Sequence, residues 1–180
     1  ARIVLGTETS TLDASGEITV VHDMSLIGTN EVRRAAAGLI GELQQIPPMV
    51  SAVRVGGRRL YEIAREGGEV DRAPRPVTVH RFEVAPTDDP AVYEASVNCS
   101  SGTYVRALAA DLGTALGGGA HLRDLRRVAV GSFTVDEARP VDGLQLLSAA
   151  VGLRDLPGVI VDEATAVDVG HGKVLDRDRL

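Results

Sequence analysis

Alternating apolar and polar positions dominate the first two thirds of this chain, broken by short stretches with helical spacing. Arg2-Ile3-Val4-Leu5 is strand-like from its first residue. Asp13-Ala14-Ser15-Gly16 signals a turn, and Glu17 to Val21 reads as the returning strand of a hairpin. Val32, Ala36, Leu39, Ile40 and Leu43 fall on one face of a helix capped by Thr29 or Asn30 and ended by Pro47-Pro48. Ser51 to Val55 predicts a short strand, Gly56-Gly57 a tight turn, and Arg59 to Glu66 a short helix stopped by Gly67. Val77 to Val84 and Tyr93 to Ser100 alternate as paired strands around a loop tip at Pro86 to Pro90. Thr103 to Leu116 predicts a helix closed by Gly117-Gly118-Gly119, Arg126 to Phe133 a strand, and Asp142 to Val151 a helix. From Pro157 onward the pattern gives no clear element. The expected class is α+β with a predominantly antiparallel sheet.

Composition narrows the field. With 180 residues, 44% hydrophobic and 24% charged, the chain suits a globular domain with the start of a second one. Aromatics are 3% and Trp is absent, so Val, Leu, Ile and Ala must build the core. No apolar run approaches the roughly 20 residues a membrane-spanning helix needs, and no signal peptide is visible. Cys99 is the single cysteine, which rules out an internal disulfide. The four histidines, His22, His80, His121 and His171, lack the close pairings of metal motifs. A reducing, cytoplasmic setting with no metal is expected.

The net charge of -6 argues against a nucleic-acid partner, but its distribution argues for one. From Arg54 to Arg81 seven arginines stand against four carboxylates, and from Tyr104 to Val135 four arginines against two aspartates. A basic middle between acidic flanks can bind phosphate locally.

Candidate chemistry concentrates in three segments. The first is Ile46-Pro47-Pro48-Met49-Val50-Ser51-Ala52 through Gly56-Gly57-Arg58-Arg59-Leu60-Tyr61 to Ala64-Arg65-Glu66-Gly67. The second is Cys99-Ser100-Ser101-Gly102-Thr103-Tyr104-Val105-Arg106-Ala107-Leu108, ending at Asp111-Leu112-Gly113. The third is Gly119-Ala120-His121-Leu122, followed by Leu125-Arg126-Arg127 and Gly131-Ser132-Phe133. In the second, a strand ends, two small residues turn the corner and a helix opens. Arg106 then lies near a helix N-terminus, where the macrodipole disfavours a cation by about 0.3 kcal/mol or more. A cation so placed usually has an anionic partner, either a carboxylate or a phosphate; the alternative is a surface arginine whose stem packs on the sheet.

In this order and spacing the three segments resemble the TruB family of tRNA pseudouridine synthases, and the likeness covers nearly all of residues 2 to 140. The resemblance implies a pseudouridine-synthase-like mixed, mostly antiparallel sheet flanked by helices, incomplete at its N-terminus. Residues 1–140 would form a partial catalytic domain, and 141–180 a linker and the start of a C-terminal, PUA-like RNA-binding region. It implies isomerisation of uridine 55 in the T-loop by base flipping and aspartate-assisted cleavage of the glycosidic bond, with no metal or organic cofactor. The implied partner is the tRNA T-arm, and the full-length form is expected to be a monomer. Arg106 corresponds to the arginine that pairs with the catalytic aspartate. Leu125 corresponds to the apolar residue packing on the flipped uracil, and Tyr104 shares Arg106's motif with a packing role. Arg58, Arg59 and Arg75 fall in the family's RNA-contacting stretches. His121 is expected to be structural and Cys99 buried in its strand.

One departure matters. The family's aspartate sits in a Gly-Thr-Leu-Asp-Pro motif, together with an active-site tyrosine, ahead of the strand that here begins at Arg2. Thr11-Leu12-Asp13-Ala14 looks similar, but Ser10 and Ala14 stand where that Gly and Pro would be, and it follows the Arg-x-x-Leu-Gly strand rather than preceding it. Asp13 therefore reads as a hairpin-turn residue, and Arg106 as the partner of an aspartate these residues lack. The chain opens within a strand and stops at Arg179-Leu180 without a cap, as an internal piece would. Alone it is expected to be inactive; the alternative function is a non-catalytic tRNA-binding module.

Overall fold

The computed structural model describes residues 1–176, so Arg179-Leu180 lie outside the described residues. The chain runs β1 (Arg2–Leu5), β2 (Thr7–Thr9), β3 (Ile18–Val21), α1 (Thr29–Gly38), β4 (Gly41–Gln45), β5 (Arg54–Val55), β6 (Arg58–Arg59), α2 (Leu60–Arg65), β7 (Arg75–Pro86), β8 (Val92–Cys99), α3 (Val105–Ala115), β9 (Ala120–Asp124), β10 (Ala129–Val130), β11 (Phe133–Thr134), α4 (Ala149–Gly152) and α5 (Glu163–Gly170). The fold is α+β. Five strands form one sheet in the order β4-β7-β8-β1-β9, and every neighbouring pair in it is antiparallel.

The sheet's two faces follow from the alternation in its strands. Ile3 and Leu5 of β1 and Tyr93 and Ala95 of β8 are buried with Val79, Phe82 and Val84 of β7. In β7 the buried positions change from odd to even because the register with β8 shifts between Val79 and Arg81. Val32 and Ala36 of α1 and Leu108, Ala109 and Leu112 of α3 complete this core. Leu108 and Leu112 are fully buried, each contributing about 1.5–3 kcal/mol through removal from water. Gly113 permits the close approach of α3 to β9: a Cβ there would stand 2.3 Å from the Ala120 nitrogen. The opposite face is polar, with Arg2 between Glu94 at 3.6 Å and Asp124 at 3.8 Å.

Three sequence expectations need correction. The first helix ends at Gly38 rather than Leu43; the chain turns at Gly41, where φ is +114°, and residues 41–45 join the sheet as its edge strand β4. Arg126 to Phe133 is not one strand, because Gly131 at φ +56° folds it into the β10–β11 hairpin, and the sheet's last strand lies earlier, at β9. Asp142 to Val151 is helical only from Ala149, where the Ser148 side chain caps α4.

The chain divides into two compact units, Ala1–Arg126 and Arg127–Leu180. The sheet is complete once β9 is paired, and the β10–β11 hairpin bonds onward: the Val135 amide donates to the Val128 carbonyl at 2.8 Å. Within the second unit, Arg154 pairs with both oxygens of Glu137 at 2.6 and 2.8 Å, and its guanidinium lies 3.7 Å from the Phe133 ring centre. Among the described residues no helix is long and apolar enough to cross a membrane.

Candidate active site

Where β8 ends, Ser100 and Thr103 shape the turn into α3. The Ser100 hydroxyl accepts from the Thr78 amide at 2.9 Å, and the Thr103 hydroxyl donates to the Ser100 carbonyl at 2.9 Å. Gly102 takes φ +85°. Tyr104, the N-cap residue, is held by a buried side-chain amide from β4: its N–H donates to Gln45 Oε1 at 2.7 Å, and its carbonyl accepts from Gln45 Nε2 at 3.2 Å. The edge strand absent from the sequence expectation thus fixes where the helix starts and which way its first turn points.

Arg106 is the second helical residue, and its unfavourable dipole position is offset by an anion. Its Nη1 donates to Asp13 Oδ2 at 2.8 Å and to the Thr11 carbonyl at 3.4 Å; its Nη2 donates to the Val50 carbonyl at 2.7 Å. Of the two partners the sequence left open, the carboxylate is the one present here. The guanidinium ties three distant segments together, and both side chains are largely shielded, at 22% exposure for Arg106 and 24% for Asp13.

Asp13 keeps the turn role expected of it and adds the pairing with Arg106. Its Oδ1 accepts from the Thr11 hydroxyl at 2.7 Å, the Ser15 amide at 3.0 Å and the Ser15 hydroxyl. Burial works against ionisation of this carboxyl, but the Ser15 and Thr11 hydrogen bonds and the Arg106 charge outweigh it and hold the pKa at about 2. One of its oxygens is thus filled by three donors of its own turn. The loop carrying it is clamped to β9, with the Leu122 amide donating to the Leu12 carbonyl at 3.0 Å and the Ala14 amide to the Leu122 carbonyl at 2.9 Å. Leu12 is left-handed at φ +62°, a conformation costing roughly 1–2 kcal/mol, so the clamp holds a strained residue beside the ion pair.

Arg106 and Tyr104 border an open cleft of about 580 Å³, completed by Val50, Ser51, Ala52, Tyr61, Ala64 and Arg65. No carboxylate lines it. Leu125 is elsewhere: just beyond β9, 58% exposed, it lines a second depression of about 640 Å³ with Glu83, Glu94 and Asp124. That depression sets three carboxylates against Arg2 and Arg126, whereas the cleft beside Arg106 holds arginines and no carboxylate and is the stronger candidate for a polyanion. Arg58 and Arg59 are exposed on β6, where Arg58 pairs with Glu66 at 2.6 Å and Arg59 reaches the Tyr61 hydroxyl at 3.1 Å. Arg75 opens β7 opposite Gln45, at the end of the sheet where α3 begins. His121 is buried, with Nδ1 2.9 Å from the Thr7 carbonyl, and Cys99 is half-buried at the end of β8. Among the described residues no cluster of His, Cys, Asp and Glu could hold a metal.

Sequence reasoning missed Gln45, Ser51, Tyr61, Arg65 and the pairing of Asp13 with Arg106. The demand of Arg106 for an anion was the one available signal, but its partner lies 93 residues away.

The sequence of this chain is similar to those of known proteins. A model of the TruB family pseudouridylate synthase N-terminal domain matches residues 1–105, and one of the tRNA pseudouridylate synthase B C-terminal domain matches residues 106–156. The chain belongs to the TruB family of pseudouridylate synthases. It is 44% identical to the tRNA pseudouridine synthase B of Arthrobacter sp. (strain FB24), over 95% of this chain and 60% of that protein. To the protein of the same name from Nocardia farcinica it is 50% identical, over 80% of this chain and 48% of the relative. The chain thus spans about half to three fifths of the length of these relatives. A chain of a Cbf5-Nop10-Gar1 complex is similar in structure, with a TM-score of 0.48 and 26% identity over 76% of this chain and 31% of that one.

Proposed function

We propose that these residues supply the uridine-receiving part of a TruB-type tRNA pseudouridine synthase acting on uridine 55 of the T-loop. The observation that carries this reading is Arg106, fixed at the start of α3 and turned toward a carboxylate beside an open cleft, in a chain matched by TruB models across residues 1–156. The target uridine is stacked inside the tRNA and must be flipped out. The C1'–N1 bond then breaks with help from an aspartate, the uracil turns, and C5 bonds to C1' as its proton is lost and N1 gains one. Arg106 keeps the assisting carboxylate ionised and oriented; Leu125, which lines a separate depression, is assigned to the base by the family resemblance alone. Tyr104 packs at the cleft's edge, while Arg58, Arg59 and Arg75 take backbone phosphates of the T-arm.

The three hydrogen bonds that Asp13 Oδ1 accepts within its own turn support assigning it to the turn and to the positioning of Arg106 rather than to the chemistry. The reacting aspartate belongs to a Gly-Thr-Leu-Asp-Pro motif that these 180 residues do not contain. The chain alone then binds tRNA without converting it. Incubating it with unmodified tRNA, mapping pseudouridine and measuring filter binding at two salt concentrations tests this. Binding that weakens steeply with salt, without product, is expected. Product would give the catalytic role to Asp13 or another acid, and absence of binding would refute the RNA reading.

A further inference from the structure

Arg106 borders the cleft, but its charge is already engaged by Asp13 and two backbone carbonyls. Its remaining donors are assigned above to the assisting carboxylate rather than to a phosphate. The cleft's other cation is Arg65, in the last turn of α2, exposed and without a carboxylate partner among the described residues. The nearest acidic neighbours are committed elsewhere: Glu66 pairs with Arg58, and Glu62 accepts from the Arg59 amide at 3.0 Å. Arg65 is not loose, since its guanidinium carbon lies 5.5 Å from the centre of the Tyr61 ring, which lines the same cleft. The cleft wall also holds a second unanswered group. The Ser51 hydroxyl, on a residue 6% exposed, is the buried side-chain polar atom without a hydrogen-bond partner among the described residues.

We propose that this cleft is a nucleotide subsite in which Arg65, laid against Tyr61, binds a phosphate of the entering RNA strand, and the Ser51 hydroxyl bonds to that same nucleotide. The proposal rests on the tRNA reading above and deepens it by separating two tasks: Arg106 holds a carboxylate, whereas Arg65 holds the substrate's phosphate. A planar guanidinium with free donors matches a phosphodiester's paired oxygens. Stacking on Tyr61 limits the freedom the side chain would lose on binding. Tyr61 is therefore a positioning residue, acting through Arg65.

The test uses the 180-residue chain with two probes. With unmodified tRNA, Arg65→Ala should weaken binding roughly tenfold and flatten the dependence of log K on log salt by about 0.7–0.9. Arg65→Lys should keep most of that slope. Tyr61→Leu, which removes the ring, should approach Arg65→Ala. Arg81→Ala, at a cation paired with Glu83 on β7, serves as the control and should change nothing. With uridine 5'-monophosphate, NMR should show the Tyr61 ring and Arg65 Nε signals shifting, uridine itself having a weaker effect and Arg65→Ala abolishing the response. Wild-type tRNA binding with an unchanged slope in Arg65→Ala, and no nucleotide response, would overturn the subsite and leave the tRNA reading intact. A nucleotide response without tRNA binding would do the reverse. Failure of both probes would refute both.

Discussion

The hydrogen bonds that the Asp13 carboxylate accepts from Ser15 and Thr11, together with the Arg106 charge, make a quantitative demand on stability. On folding, the Asp13 carboxyl moves from 3.8 to about 2; at about 1.36 kcal/mol per pH unit, that corresponds to about 2 kcal/mol of stability at neutral pH. The folded-state value is the lower one, so this stability is fully present above the unfolded value near 3.8 and is lost as pH falls toward 2. Asp13→Asn removes the charge but preserves size and an acceptor oxygen. It should lower the unfolding free energy by about 2 kcal/mol at pH 7, and somewhat more if Arg106, only 22% exposed, finds no other anion. Urea denaturation followed by far-UV circular dichroism at pH 7, 4, 3 and 2 would measure the difference. Wild type and variant should differ at pH 7, converge below pH 4, and be indistinguishable at pH 2. Equal stability at pH 7, or a gap that persists unchanged to pH 2, would show that the ionised Asp13 carboxylate does not hold the loop.

Two further substitutions probe how the site is held. Gln45→Leu leaves both backbone groups of Tyr104 without their buried partner, and should cost about 1–3 kcal/mol; thermal denaturation no different from wild type would mean that α3 is positioned without β4. Gly113→Ala places a methyl 2.3 Å from the Ala120 nitrogen and should cost about 1–3 kcal/mol or more. Gly38→Ala, with nothing within 4 Å, should leave the melting temperature unchanged or raise it, and an equal loss in both variants would refute the packing argument.

The alternation of β1, β7 and β8 and the helical spacing of α3 were legible because each buries one face on the same core, so pattern and packing agree. Residues 40–45 were misread because Leu39, Ile40 and Leu43 suit a helix face equally well, and only the partner strand β7 decides that they extend along the sheet edge. Gly131 and Gly143 mark breaks in the second unit whose consequences depend on φ values of +56° and +103°, which spacing does not report. At the site, Arg106 announced itself through its electrostatically poor position. Asp13 did not, because a turn aspartate flanked by Thr11 and Ser15 already has a sufficient local reason to exist. Tyr61 and Arg65 lay in a candidate segment without roles of their own, and only the fold set them beside Tyr104 and Arg106.

That the cleft bordered by Arg106 receives the target uridine can be tested directly by photocrosslinking. A tRNA carrying 4-thiouridine at position 55 would be irradiated with the 180-residue chain and the attached peptide identified by mass spectrometry. Attachment within residues 50–65 or 104–106 is the predicted result, with Leu125 as an additional site if it closes over the base. Attachment confined to the β2–β3 hairpin, or to residues 127–176, would contradict the account.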